Sequence, residues 1–181
     1  MNAFQQLGIA ARLEISEEEL AVAFRAAGKL AHPDAGGDEH QFATLREAFG
    51  VVSSPSRRLR HWMELRGTPG ELRGSIDDSL MNLFAEVGAV TQRAEALLRK
   101  RDEAKSALVR AMLEGETQLS REAVEKVLAS VEGRIGEACA IFLEFENSPN
   151  LDVVVASEVA RNLAFLEKWR FGLRAYFSRL V

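Results

Sequence analysis

The residues whose types and spacing could do chemistry are few in this chain of 181, and the foremost are His32, Pro33 and Asp34, adjacent in sequence. An imidazole beside a carboxylate could act as a base and its orienting partner. No nucleophile pattern and no phosphate-binding glycine loop accompanies them, so catalysis has no further support and the chain reads as a non-enzyme. Metal binding fares no better. His40 and His61 have no ligand spacing with His32, and Cys139 is alone, which excludes an intrachain disulfide and a cysteine-based zinc site. No cofactor is expected, and Cys139 reads as a packing residue. What the tripeptide can supply is a donor, a rigid turn and a carboxylate held at the tip of a packed element, which suits docking. Arg25 and Lys29, four residues apart on one helical face, are either a solvated surface or a basic patch that steers the protein to an acidic partner.

The elements that must hold this tip are two amphipathic helices. Glu17 to Leu30 places Leu20, Phe24, Ala27 and Leu30 on one side. Proline lacks the amide donor and its ring clashes with the preceding turn, so Pro33 predicts a helix end near Ala31. Gly36 and Gly37 permit a reversal, and Asp38 can cap a second helix whose apolar face is Phe42, Leu45, Ala48, Phe49 and Val52. A helical hairpin with the tripeptide at its tip follows. The Arg57-Arg58-Leu59-Arg60 run after it reads as a solvated basic segment.

Gly67-Thr68-Pro69-Gly70 and Gly74 mark a joint, dividing the chain into residues 1–68 and 75–181. Beyond it the pattern is helical throughout, so the fold class is all-α. Ser75 or Asp77 can open one long helix carrying Leu80, Phe84, Val87, Val90, Ala94, Leu97, Leu98, Ala104, Leu108 and Met112, with Gly115 as its end. Ser120 opens a second with Val124, Leu128, Val131, Ile135, Ala138, Phe142 and Phe145 on one face, stopped at Asn147-Ser148-Pro149. A third places Val155, Val159, Leu163, Leu166, Trp169, Leu173 and Phe177 on one stripe. Short connections imply an antiparallel three-helix bundle.

Composition narrows the classes. A net charge of -4 with interleaved acids and bases lacks the footprint of a nucleic-acid binder. Apolar runs such as 138–143 and 151–156 are too short to span a bilayer. The opening Met1-Asn2-Ala3-Phe4 shows no secretory signal pattern, so a cytoplasmic location is expected, without nucleic acid or membrane as partner.

The stretch from Phe4 to Arg60 resembles the J-domain of DnaJ-type co-chaperones. The features that match, in order, are Phe4-Gln5-Gln6-Leu7-Gly8, Phe24-Arg25-Ala26-Ala27-Gly28-Lys29-Leu30, His32-Pro33-Asp34, Phe42 to Phe49 and Val52-Ser53-Ser54-Pro55-Ser56-Arg57-Arg58. The resemblance implies a protein that docks on a DnaK-type chaperone and stimulates the partner's ATP hydrolysis, with His32, Pro33 and Asp34 as trigger and Arg25 and Lys29 as docking cations. Ala35 stands where the family commonly has a lysine.

A J-domain followed by a three-helix bundle, with Leu80-Met81 and Arg161-Asn162-Leu163-Ala164-Phe165-Leu166-Glu167-Lys168, resembles HscB, the Jac-type co-chaperone of iron-sulfur cluster assembly. That implies an HscA-type chaperone partner and a bundle surface that holds the cluster scaffold protein through Leu80, Met81, Phe84 and Phe165. The family shows glutamates after its Leu-Met pair, whereas Asn82 to Ala89 holds one carboxylate, Glu86. Two functions therefore stay open: delivery of an iron-sulfur scaffold, or recruitment of the chaperone to another client through the bundle. Phe84 and Phe165 carry two readings as well, core or contact surface, and solvent exposure separates them.

Overall fold

The computed structural model describes residues 1–31, 39–71, 74 and 77–181. The chain is all-α: α1 (Ala3–Gln6), α2 (Glu17–Ala31), α3 (Glu39–Ser53), α4 (Pro55–Leu65), α5 (Met81–Glu103), α6 (Ala107–Cys139), α7 (Phe142–Asn147) and α8 (Val153–Leu180). None of the described helices is long and apolar enough to cross a membrane. Two compact units emerge, Met1–Gly74 with Cys139–Ala164, and Ser75–Ala138 with Phe165–Val181.

The first unit is built on the helical hairpin. α2 runs from an acidic first turn, Glu17 to Glu19, to Lys29 in its last, each sign set against the opposite end of the helix dipole. Phe24 meets Phe49 at 4.6 Å and Phe42 at 6.4 Å between ring centroids, which pins α2 on α3. Leu30, expected on the inner face, is exposed. Asn2 caps α1, accepting from the Gln5 amide while the Gln5 side chain reaches back to the Asn2 amide. Phe4 is thereby fully buried and stacked on His61 at 5.7 Å, and His61 Nε2 accepts from the Ala3 amide at 3.2 Å. His61 is thus spent on structure.

α4 starts at Pro55 in the first helical position, with the Ser54 hydroxyl accepting from the Arg57 amide. The basic run is not uniformly solvated: Arg58 is buried, donates to the Val52 carbonyl at 2.9 Å and lies over the Phe142 ring at 5.8 Å. It shares its helix turn with fully buried Leu59, so its guanidinium is carried inward and needs these partners to offset the loss of water.

The segment 139–164 completes this unit, and the division differs from a cut between residues 68 and 75. The Glu146 carboxylate accepts from the Leu13 amide and, at 3.4 Å, from the Glu14 amide. Arg66 donates to the Ser148 carbonyl at 3.3 Å and Arg161 to the Glu71 carbonyl at 3.1 Å. Gly70, which in sequence looks like a free joint, is packed. A Cβ there would collide with Ser157 Oγ of α8 and stand 2.9 Å from Met63 Cε.

The second unit is a bundle of α5, most of α6 and the C-terminal half of α8. Its helix boundaries depart from the expected ones. α5 ends at Glu103, Ala104 is extended, and the Ser106 hydroxyl accepts from the Val109 amide to start α6, which runs through Gly115 unbroken. The Arg110 guanidinium donates to the Ala104 carbonyl at 3.1 Å across this corner. A capping serine therefore outweighs a mid-helix glycine. In α5 the buried stripe includes Leu83 in place of Phe84, and in α8 Ala156 and Ala160 in place of Val155 and Val159. Lys100 pairs with Glu116 at 3.5 Å, Glu132 with Arg174 at 2.6 Å, and Arg101 donates to the Arg179 carbonyl at 3.4 Å, linking the three helices pairwise.

Gly115 lies inside an exposed helical stretch, and a methyl group added to it would meet nothing within 4 Å, so Gly115→Ala should stabilise the protein by about 1 kcal/mol. Chemical denaturation in dilute solution checks this; destabilisation would mean that the helix ends there after all.

Candidate docking surfaces

Two surfaces carry the residues singled out by sequence. The first is the outer face of α2. Its inner side is consumed by Leu20 and Phe24, and Gly28 faces Phe42 and Leu45 of α3 at ordinary van der Waals distance for a Cβ, 3.9 Å and 4.0 Å. Arg25 and Lys29 are left exposed, one helical turn apart on the same side. The Arg12 guanidinium pairs with Glu19 and so ties the preceding loop to the start of α2. α2 stops at Ala31 and α3 resumes at Glu39. His32, Pro33 and Asp34 lie outside the described residues.

The second surface is at the start of α5. Asp77 accepts from the Ser79 amide at 2.6 Å, capping a short 3₁₀ turn, Asp78–Leu80, that leads into the helix. Arg134 of α6 donates to Ser79 Oγ at 3.1 Å and to Glu137 at 2.9 Å, fixing that turn on the bundle. The four sequence-predicted residues then divide. Leu80 is 3% exposed and belongs to the core, whereas Met81 and Phe84 are 48% and 47% exposed. Phe165 of α8 is half-buried. The turn explains the split: it delivers Leu80 inward, and one residue later the α-helix begins with Met81 facing out.

Trp169 is legible in sequence only as part of a core stripe, yet it organises this surface. It is 9% exposed, and its ring lies 5.8 Å from Phe84 and 6.4 Å from Phe165, tilted by 38° and 37°. Such tilted pairs each contribute about 0.5–1.5 kcal/mol and hold the outer rings in place. A signal for it exists: Phe165 and Trp169 are four residues apart, so they share a helix face. The result is a pre-formed apolar patch of Met81, Phe84 and Phe165 on a rigid indole floor. Only Glu86 supplies a carboxylate between Asn82 and Ala89, and it is exposed.

Among the described residues no group of three or more His, Cys, Asp or Glu side chains is placed to hold a metal. His40 and His61 are not brought together with a nucleophile, and His61 is already engaged with Ala3 and Phe4.

Comparison with solved structures returns the chaperone HscB from Vibrio cholerae, with a TM-score of 0.58 and 20% identity, covering 100% of both chains. The fold is that of HscB. Among characterised proteins, a tetratricopeptide repeat and J domain-containing co-chaperone, DNJ1, from Cryptococcus neoformans var. grubii is 46% identical over 48 residues. That match takes in 26% of this chain and 9% of the fungal protein. No protein-family profile matches the chain. The chain thus resembles HscB in fold over its whole length and a J-domain co-chaperone in sequence over one stretch. An HscB-like fold places a hairpin before a helical bundle, the order in which the two surfaces occur here.

The division within the apolar set is measurable. Leu80→Ala should cost about 2–5 kcal/mol in chemical denaturation, as for other buried leucines. Met81→Ala should stay within about 0.5 kcal/mol of the parent. Equal losses would place Met81 in the core.

Proposed function

We propose that this protein is a co-chaperone of the J type, which docks on a DnaK- or HscA-type chaperone in the cytosol, stimulates its ATP hydrolysis and delivers a client held on the bundle. The observation that carries this reading is the end-to-end HscB fold in a chain whose sequence places His32-Pro33-Asp34 between the two hairpin helices. The protein itself is not an enzyme in this reading, because the ATPase site belongs to the partner.

Each surface then has a task. The tripeptide supplies the trigger. Arg25 and Lys29, both exposed on one side of α2, attract an acidic chaperone surface at long range and set the salt dependence of docking. The Met81, Phe84 and Phe165 patch holds the client, and the Trp169 floor lowers the ordering cost of the contact because the rings are already in place. Carrying client and trigger on one chain raises the effective concentration of one for the other.

The client proposed is an iron-sulfur cluster scaffold protein, bound mainly by packing. The single carboxylate between Asn82 and Ala89 favours a second reading, in which the same patch recruits the chaperone to a client of different charge. Calorimetry with a cognate scaffold separates the two: Phe84→Ala should weaken association by roughly tenfold or more, as for an aromatic anchor at the centre of a contact. Absence of association by the parent protein would exclude the scaffold and leave the second reading.

His32→Gln should reduce stimulation of the chaperone's ATP hydrolysis to the basal rate in single-turnover assays, with the helical circular dichroism signal unchanged. Stimulation that persists would overturn the co-chaperone assignment. Arg25→Glu combined with Lys29→Glu should weaken docking most at low salt and flatten its ionic-strength dependence.

A further inference from the structure

One apolar stripe has no place in either surface. The first half of α6 carries Leu108, Met112, Gly115 and Leu119 at steps of four, three and four, the seam spacing of a two-stranded helical pair. Leu108 and Met112 are 73% exposed and Leu119 is 69% exposed, although the same helix buries Val124, Val127, Val131 and Ile135 further along. Gly115 sits in the middle of the stripe, and a Cβ there would meet nothing of its own chain within 4 Å. Glycine costs helix stability, and packing within the chain gives no reason for it.

We infer that this stripe is a self-association surface, on which a second copy of the chain pairs with α6 in antiparallel register about a two-fold axis between Leu113 and Glu114. The stripe is complementary to its own reverse. With that axis, Leu108 lies against Leu119 of the second copy, and the long side chain of Met112 lies over the space left by the second copy's Gly115. At the stripe's ends, Lys105 stands just ahead of the helix and Glu122 three residues beyond Leu119. Antiparallel pairing brings Lys105 to the second copy's Glu122, twice by symmetry, and sets that carboxylate by a helix N-terminus as well.

The charges reject the parallel arrangement. In-register parallel helices would set Lys105 on Lys105 and Glu122 on Glu122, and would leave Gly115 facing Gly115 across a gap. A second copy is therefore a better occupant than an unrelated helix, because both halves of the match are already present in this one sequence. The seam from 105 to 122 is only ~27 Å long, at the small end of specific interfaces, so association is expected at high protein concentration and not in dilute solution.

Sedimentation of the full chain across a wide concentration range tests this. The weight-average mass should climb from that of one copy towards twice that value, and Leu108→Glu should hold it at one copy throughout. Lys105→Glu and Glu122→Lys should each weaken association by roughly tenfold, since two symmetry-related pairs become repulsive, and the double exchange should restore it. In a Cys139→Ser background, mixing Leu108→Cys chains with Leu119→Cys chains should give a disulfide between unlike chains, in excess of either homodimer. A single-copy mass at every concentration overturns the inference. So does association that survives Leu108→Glu, a double exchange that does not restore pairing, or cross-linking no greater between unlike chains than like ones.

Discussion

The contact on which the first unit depends is made by residues more than a hundred positions apart: the carboxylate of Glu146, on the short helix α7, takes the backbone amides of Leu13 and Glu14. Those amides belong to a loop between α1 and α2 that has no helix or strand of its own to satisfy them, and Glu146 supplies the acceptor that the loop lacks. Phe142, one turn earlier on α7, lies under the Arg58 guanidinium and so supplies one of the partners that let α4 bury a cation. α7 is only six residues long, yet it closes the loop on one side and the basic segment on the other. The hairpin that presents Arg25 and Lys29 is held by its own aromatic contacts, while the base beneath it is finished by sequence from much later in the chain.

That dependence explains what the sequence can and cannot disclose. The hairpin is legible because its determinants are local: a three-to-four residue apolar period, a proline after Ala31 and aromatic residues placed to meet across the two helices. The all-α class and the three long helical segments follow from the same periodicity. The break between α5 and α6 falls elsewhere than expected because Gly115 is the stronger residue signal, whereas Ser106 acts through one hydroxyl on the Val109 amide and is visible only as geometry. The buried side of α8 is shifted by one position at its start, where the small residues Ala156 and Ser157 are buried; Ser157 lies against Gly70, a long-range fact.

The candidate surfaces divide in the same way. Exposure of Arg25 and Lys29 is predictable from the face they occupy. The apolar patch is only partly so, since Leu80, Met81, Phe84 and Phe165 all carry side chains suited to either core or surface. A 3₁₀ turn of three residues decides between Leu80 and Met81, and no periodicity reports such a turn. Trp169 shows the converse case: a core residue by pattern and by burial that nonetheless determines how an exposed surface is shaped, because its ring touches both neighbours that reach solvent.

Both units are discontinuous in sequence, with 139–164 completing the first and 165–181 the second. This has a consequence for biosynthesis. A ribosome releases the hairpin early, but Glu146, which satisfies the Leu13 and Glu14 amides, and Phe142, whose ring lies under Arg58, follow only after a further stretch of chain, roughly 5–20 s later at ordinary elongation rates. For that interval the base of the hairpin has open amides and uncovered apolar surface, and the second unit cannot form until the end of α8 is made. Closure of each unit is therefore a late event with high sequence separation at its closing step, despite the local character of every helix in it.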